Sequence, residues 1–481
     1  MSRRTNNLLR LLASLLAVML LSACVSREDE ETFEETAENH LIKYINLSIT
    51  VSTGNYATHR APAGGENGDG REAGFERENA VNGITLILYK GTGLYDALAK
   101  VDYIAYFVTT LSSRQTPQTA LADKTEEVVS EEAVYTTGNQ RLEDGAINTG
   151  DTYHAIVIAN RNMTSQFPKG TPISNVRDYS FCASLYSGDA KKPNECNNFV
   201  MTSENDVTIN FGGITPTTVG TSGLLYTVNT PILIERMAAR IDFCTQNGYY
   251  DAYYGGYIYN VTGSGDMFVL TSVTPFNLYN ENEYLLKRVQ DTWPATITTY
   301  LGDETTSKYV ADPNTGNKNN TNTFAYLSPL ASPMSTDYQQ TMTSSTPFPD
   351  SDGNQSIVVG YAKENTLMPT SHLKKYATGL AITGHYYKKT GETTYTDKGE
   401  RTYYGYLRHQ GESTSAYPAK SFAALSDDET GTVPMNFGIV RNNIYRVSIE
   451  SIAPETDETP AVTLNIKVKK WDLFTHAPIY M

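Results

Sequence analysis

From Ile45 to Ser52 the chain alternates apolar and polar residues without a break, as Ile45, Asn46, Leu47, Ser48, Ile49, Thr50, Val51 and Ser52. It does so again near its other end, from Val462 through Leu464, Ile466 and Val468 to Lys469. A period of two places alternate side chains on one face of an extended strand, so both segments read as half-buried β-strands. They match in phase, length and residue type. Between them lie short apolar runs bounded by turn residues, such as Ile84 to Tyr89, His154 to Ala159 and Ile241 to Cys244. Helical heptads are few. The 34 tyrosines among 481 residues, with many Thr, Val and Ile, favour pleated surfaces further. The expected fold is all-β, built as two tandem antiparallel β-sandwich domains. A parallel α/β enzyme would need long amphipathic helices between its strands, and a formal charge of −15 argues against binding nucleic acid.

The first 24 residues are of another kind. A basic segment from Met1 to Arg10 precedes an apolar stretch too short to span a bilayer permanently, which closes on Leu21, Ser22, Ala23 and Cys24. This is the pattern of a lipoprotein signal peptide, with Cys24 as the lipidation site and the outer membrane as the first destination. The acidic run of Glu28, Asp29, Glu30, Glu31, Glu34 and Glu35 that comes next reads either as a surface-export signal or as a solvated tether. Of the other cysteines, Cys182 and Cys196 have the spacing for a possible disulfide. It would close a loop of about 15 residues, worth about 3 kcal/mol in the chain-entropy picture. Cys244, in an apolar run, reads as a buried thiol.

After the Ile45 strand come Gly54, then Thr58, His59, Arg60 and Ala61, then a stretch rich in glycine through Gly74. An arginine in such a linker is a protease target, and Arg60, Arg71 and Arg77 all qualify. Cutting there would release the first strand, Ile45, Leu47, Ile49 and Val51 with it, and leave a groove with an open sheet edge. An extended segment of another molecule could fill that groove by strand addition. Four aliphatic side chains would bury roughly 6 to 12 kcal/mol of apolar stabilisation there. Val462, Leu464, Ile466 and Val468 are the candidate donor strand, with the tail Leu473 to Met481 as the alternative. A groove at one end and a strand at the other extend into a filament rather than closing on themselves.

Several short segments carry a family resemblance. They are Glu78, Asn79, Ala80, Val81; Ala159, Asn160; Phe199, Val200, Met201, Thr202; Glu235 through Ile241; Tyr361 through Thr366; Arg441 through Val447; and Val468, Lys469, Lys470, Trp471. With the leader and the Arg60–Ala61 junction, the chain resembles a fimbrillin, the subunit family of the type V pili of Bacteroidales. The resemblance implies two transthyretin-like sandwiches, export as an acylated lipoprotein and cleavage after Arg60 by a surface arginine-specific protease. It further implies donor-strand polymerisation with other copies and with anchor and tip subunits, for adhesion and biofilm formation. The expected divisions are 1–24 for the signal peptide and lipidated cysteine, 25–60 for the tether and releasable strand, 61–230 for the first sandwich and 231–481 for the second. A cleaved stalk subunit fits best, with tip and anchor as the other roles.

Catalytic patterns are lacking: there is no G-x-S-x-G, H-E-x-x-H, P-loop or C-x-x-C, so no enzyme, metal or cofactor is expected. Asp350 to Asn354 begins like a calcium loop but lacks its sixth and twelfth residues, and reads as a polar turn. The cluster Tyr249, Tyr250, Tyr253, Tyr254, Tyr257 and Tyr259 reads as a hairpin around Gly255 and Gly256. It also supports an alternative function, a monomeric, lipid-anchored module binding glycans.

Overall fold

The structure is a computed structural model, and its described residues are 42–51, 71–115, 132–142, 147–186, 196, 198–204, 206–221, 223–290, 298–300, 309–319, 321–409, 416–431, 434–454 and 461–472. Among these strand is the dominant regular structure, with helices of no more than five residues. The all-β expectation holds. No helix among the described residues is long and apolar enough to cross a membrane.

The strand Gly223–Arg236 organises the first half of the molecule. Its first ten or so residues pair in parallel with Ile42–Val51, and its end pairs antiparallel with Met201–Ser203. Beyond Ile42–Val51 the sheet continues through Glu132–Thr136 to Thr110–Gln115; beyond Met201–Ser203 it continues through Thr152–Ala159 and Gly83–Tyr89 to Val101–Val108. One long strand therefore serves two stretches of sheet, which enclose Ile45, Leu86, Val157, Tyr226 and Ile232 in one apolar cluster. The register slips between Leu47 and Ile49, opposite Val228 and Ile232, where the sequence carries Pro231. Proline has no amide to give a ladder, so a bulge is where it can be tolerated. The 230/231 division expected from sequence falls inside this continuous strand.

Two further sheets form the second half. One runs Arg71–Ala73, Ala461–Asp472, Asn443–Ala453, Ala239–Cys244, Gln355–Ala362, Phe348–Pro349; the other runs Tyr249–Asp251, Gly256–Asn260, Met267–Phe276, Gly379–Lys389, Tyr395–Tyr406. Their inner faces contribute Phe243, Leu270, Ile382, Tyr403, Val447 and Leu464 to the same cluster. Pairing is mostly antiparallel, but Arg71–Ala73 lies parallel to Lys470–Asp472, and Ala239–Cys244 lies parallel to Asn443–Ala453. The segment after the linker thus enters the second half before the chain builds the first. The hairpin expected around Gly255 and Gly256 is present, with Gly255 at a φ of 65° and Gly256 set so close to the Leu270 carbonyl that a Cβ would overlap it.

Candidate functional site

Ile42–Val51 is an interior strand. Tyr44 and Ile45 face Arg141 and Gln140 on one side and Leu225 and Tyr226 on the other. Further along, Ser48 to Val51 pair with Thr136 to Ala133. Ile45 is fully buried, and Asn46 accepts a hydrogen bond from the Thr136 hydroxyl at 2.7 Å. Alternation over eight residues foretold the strand. It could not foretell a parallel partner about 180 residues away, because the local pattern carries no information about direction. Removing these ten residues would expose the edges of two neighbours at once, Gly223–Arg236 and Glu132–Arg141.

The closing strand is different. Val462, Leu464 and Val468 are buried and Ile466 partly so, in a strand paired along its length with Asn443–Ala453 and flanked by Ala416–Ala419 on its other edge. It is a core strand of its own sheet. Cys24, Arg60, Ala61 and the tail 473–481 lie outside the described residues. Arg71 stands in a strand paired with Lys470, and Arg77 in a single helical turn.

The scattered segments singled out by sequence come together in a buried ionic junction. Arg240 sits at its centre, fully buried, donating to Glu78 at 2.9 Å and to both oxygens of Asp242 at 2.9 and 3.0 Å. Burial by itself would lower the Arg240 pKa, but the charges of Asp242 and Glu78 override it and hold the guanidinium firmly ionised. Glu78 also accepts from the Tyr361 hydroxyl, and Tyr361 stacks flat on Trp471 with centroids 6.0 Å apart. Arg236 donates to the carbonyls of Glu78 and Trp471 and to the side chains of Asn442 and Asn79, lying over the Trp471 ring at 4.7 Å. Arg446 pairs with Glu72 at 2.6 Å. Asn160, at a φ of 61°, binds the carbonyls of Ala80 and Phe199 through its amide. A buried charge is tolerable only when paired in this way. The junction therefore clasps the segment Arg71–Asn79 against the closing strand, so that the chain after the linker is held independently of the first strand.

Sequence reasoning quoted these segments without seeing that they meet, and it did not name Glu72. Charged and amide residues set among apolar strand residues were the only available signal. Nearby, Arg441 pairs with both oxygens of Glu364 at 2.7 Å, and Lys287 with Glu235 at 2.8 Å. Burial raises Glu235 to about 7 and Glu283 to about 8, against the pull of Lys287 and Arg441 respectively.

The cysteine pairing weighed from the sequence is not formed. Cys182 and Cys196 are free thiols in separate surroundings, Cys182 against Asn280 and Lys363, and Cys196 in a bridge with Tyr186. Cys244 is buried, which pushes its thiol pKa up. In the Asp350 turn, Asp350 accepts the amides of Asp352 and Asn354, and Asp352 meets Lys467 at 3.0 Å and Lys469 at 2.6 Å. Its carboxylates are engaged by the protein's own cations. His154 contacts Asp206 at 3.0 Å and stacks on Tyr89, a structural placement. In the tyrosine cluster Tyr249, Tyr250 and Tyr253 are 55%, 47% and 88% exposed, whereas Tyr259 is buried.

No family model matches the chain, and no curated protein matches it. Solved structures do. A candidate cell adhesion protein from Parabacteroides distasonis shares 14% identity at a TM-score of 0.43, over 90% of this chain and all of its own, 100%. The tip fimbrial protein Mfa3 from Porphyromonas gingivalis, with a C-terminal truncation, shares 11% at 0.41, over 89% and 100%. A fimbrilin (FimA) from Porphyromonas gingivalis shares 14% at 0.38, over 90% and 98%. The structural neighbours are fimbrial and candidate cell adhesion proteins.

Proposed function

We propose that this chain is a fimbrillin-type subunit of a cell-surface fimbria, exported as a lipoprotein on Cys24, cut after Arg60 and polymerised by strand exchange, most simply as a stalk subunit. The observation that carries this reading is the placement of Ile42–Val51. It is an interior strand at the very start of the described chain, it pairs on both edges, and residues 52–70 separate it from the next strand, Arg71–Ala73, which has its own anchorage through Glu72, Glu78 and Trp471. One cut in that interval would separate this strand from the chain that follows, whose next strand keeps its own anchorage. The two exposed edges would then offer backbone donors and acceptors to an incoming strand, a mode of association that combines ladder hydrogen bonds with side-chain pockets.

The burial of Val462, Leu464 and Val468 in their own sheet bears on the donor. Drawing a donor from that strand would empty a core. We therefore place the donor segment after Trp471. Pro478 in that tail suits an edge rather than an interior ladder position. The exposed Tyr249, Tyr250 and Tyr253 favour a second reading, a lipid-anchored glycan-binding or adhesive module, in which the first strand is never removed.

The test is to digest the full chain with an arginine-specific protease and follow N-terminal sequence, intact mass and unheated denaturing gels. The expected result is a new terminus at Ala61, loss of the Ile42–Val51 strand and a ladder of polymers. Arg60→Ala should block both, and deletion of 473–481 should allow cleavage but not the ladder. A chain that is cut yet remains monomeric with its first strand bound would overturn the proposal.

A further inference from the structure

Lys363 comes directly after the strand Gln355–Ala362, and its side chain is buried. No carboxylate lies within ion-pair distance of its Nζ among the described residues. Its partners are the Asn280 side-chain oxygen at 3.3 Å, the Glu281 carbonyl at 3.5 Å and the Cys182 sulfur at 2.7 Å. The last distance stands out. Sulfur is larger than oxygen, so hydrogen bonds to it run longer than the about 2.7–3.2 Å of N–H···O. The other neighbours of the same thiol obey this, with the Asn280 carbonyl at 3.6 Å and its side-chain oxygen at 3.7 Å. A nitrogen and a sulfur this close match the span of one oxygen atom bonded to both.

We propose that Lys363 and Cys182 form a covalent Nζ–O–Sγ bridge when the protein meets molecular oxygen. The ammonium first gives a proton to solvent. The thiol S–H and one amine N–H then break, and S–O and N–O bonds form. One atom of dioxygen enters the bridge, and the other leaves as water with the two hydrogens. Sulfur and nitrogen each give up two electrons, and dioxygen takes the four. Cys182 is exposed, so the oxidant has access, while Lys363 approaches from the buried side. Both ends are held in place: Cys182 comes just after Ser180–Phe181, which is paired with Glu283–Tyr284, and Glu364 beside Lys363 is gripped by Arg441. The bridge also removes a buried cation whose hydrogen-bond partners are the Cys182 sulfur and two neutral oxygens, an arrangement that is otherwise costly. It joins residues 181 positions apart in sequence and so ties the 180–186 segment to the second half of the molecule. Cys196 and Cys244 lie against Arg77 with Tyr361 and against Ser356, with no lysine on either thiol among the described residues, and serve as internal controls.

The experiment compares the wild-type chain prepared under argon with the same sample equilibrated with air, by intact mass and peptide mapping. The expected result is a gain of about 14 Da, one oxygen added and two hydrogens lost, with a linked peptide pair containing Cys182 and Lys363. Dithiothreitol should reverse it and lower the unfolding midpoint to that of the anaerobic sample. Cys182→Ser and Lys363→Arg should each abolish the mass change. Two results would overturn the proposal. One is a Cys182 that stays titratable in air; the other is a gain of about 16 or 32 Da on Cys182 alone, the sulfenic and sulfinic steps, with Lys363 still open to acetylation. Because the decisive comparison uses the wild-type chain, a variant that fails to fold does not affect it.

Discussion

Replacing Ile45 by alanine separates a strand that belongs to the mature protein from one that is discarded. Ile45 is shut off from solvent and shares an apolar cluster with Tyr135, Tyr226, Val228 and Ile232. The substitution removes three buried carbons, about 2.4 kcal/mol at about 0.8 kcal/mol each, and the cavity left behind raises the cost to about 3–4 kcal/mol. For the uncut chain, whose size puts m above the about 3 kcal/mol/M of small proteins, this should move the urea midpoint by up to about 1 M. If cleavage at Arg60 removes the strand as proposed, Ile45 goes with it, and polymers assembled from the variant should resist denaturant and heat as wild-type polymers do. Urea titrations of both forms provide the assay. A loss below about 1 kcal/mol in the uncut chain would refute the packing argument, and polymers weakened by the substitution would refute removal of the strand.

Arg240→Ala should cost about 3–5 kcal/mol, since Glu78 and Asp242 would be left buried without their shared partner; an unchanged urea midpoint would show that the junction is not a stability element. Glu283, held protonated up to about pH 8 by burial but ionising near 4.5 when unfolded, makes the folded state bind the extra proton between those values. Its contribution to stability is therefore complete below about pH 4.5 and is lost as pH rises to about 8. Glu283→Gln should flatten the fall in thermal midpoint over that window, with the variant gaining on wild type toward about pH 8, and equal slopes would rule this out. Replacing Tyr249, Tyr250 and Tyr253 together by alanine should change stability by less than about 0.5 kcal/mol per site, given their exposure, and leave polymerisation intact. Loss of polymers in that variant would place the cluster in the contact between subunits.

Local patterns were informative where a single strand or turn answers to its own residues. The alternation at Ile45–Ser52 and Val462–Lys469, the hairpin at Gly255–Gly256 and the buried thiol of Cys244 all follow from period, turn chemistry and apolar neighbours. The first and last strands looked interchangeable because their patterns are. Their surroundings are not: one sits between Gly223–Arg236 and Glu132–Thr136, and the other is clamped by Asn443–Ala453 and carries Trp471 into the junction. Cys182 and Cys196 were matched on spacing alone, and spacing says nothing of which side chain each thiol meets.

The amino-acid sequence by itself determined that this chain is built of strands and that two of them run through Ile45–Val51 and Val462–Lys469. These properties depend on residues a few positions apart, within reach of one element's own period. Tertiary structure alone decided that the first strand is interior and pairs in parallel, and that the closing strand is core. It also decided that Glu72, Glu78, Arg236, Arg240, Asp242, Asn442, Arg446 and Trp471 converge on one buried junction. Strand direction, partner choice and the pairing of buried charges are settled by contacts between distant segments, whose balance of desolvation and attraction exists only once the chain has folded.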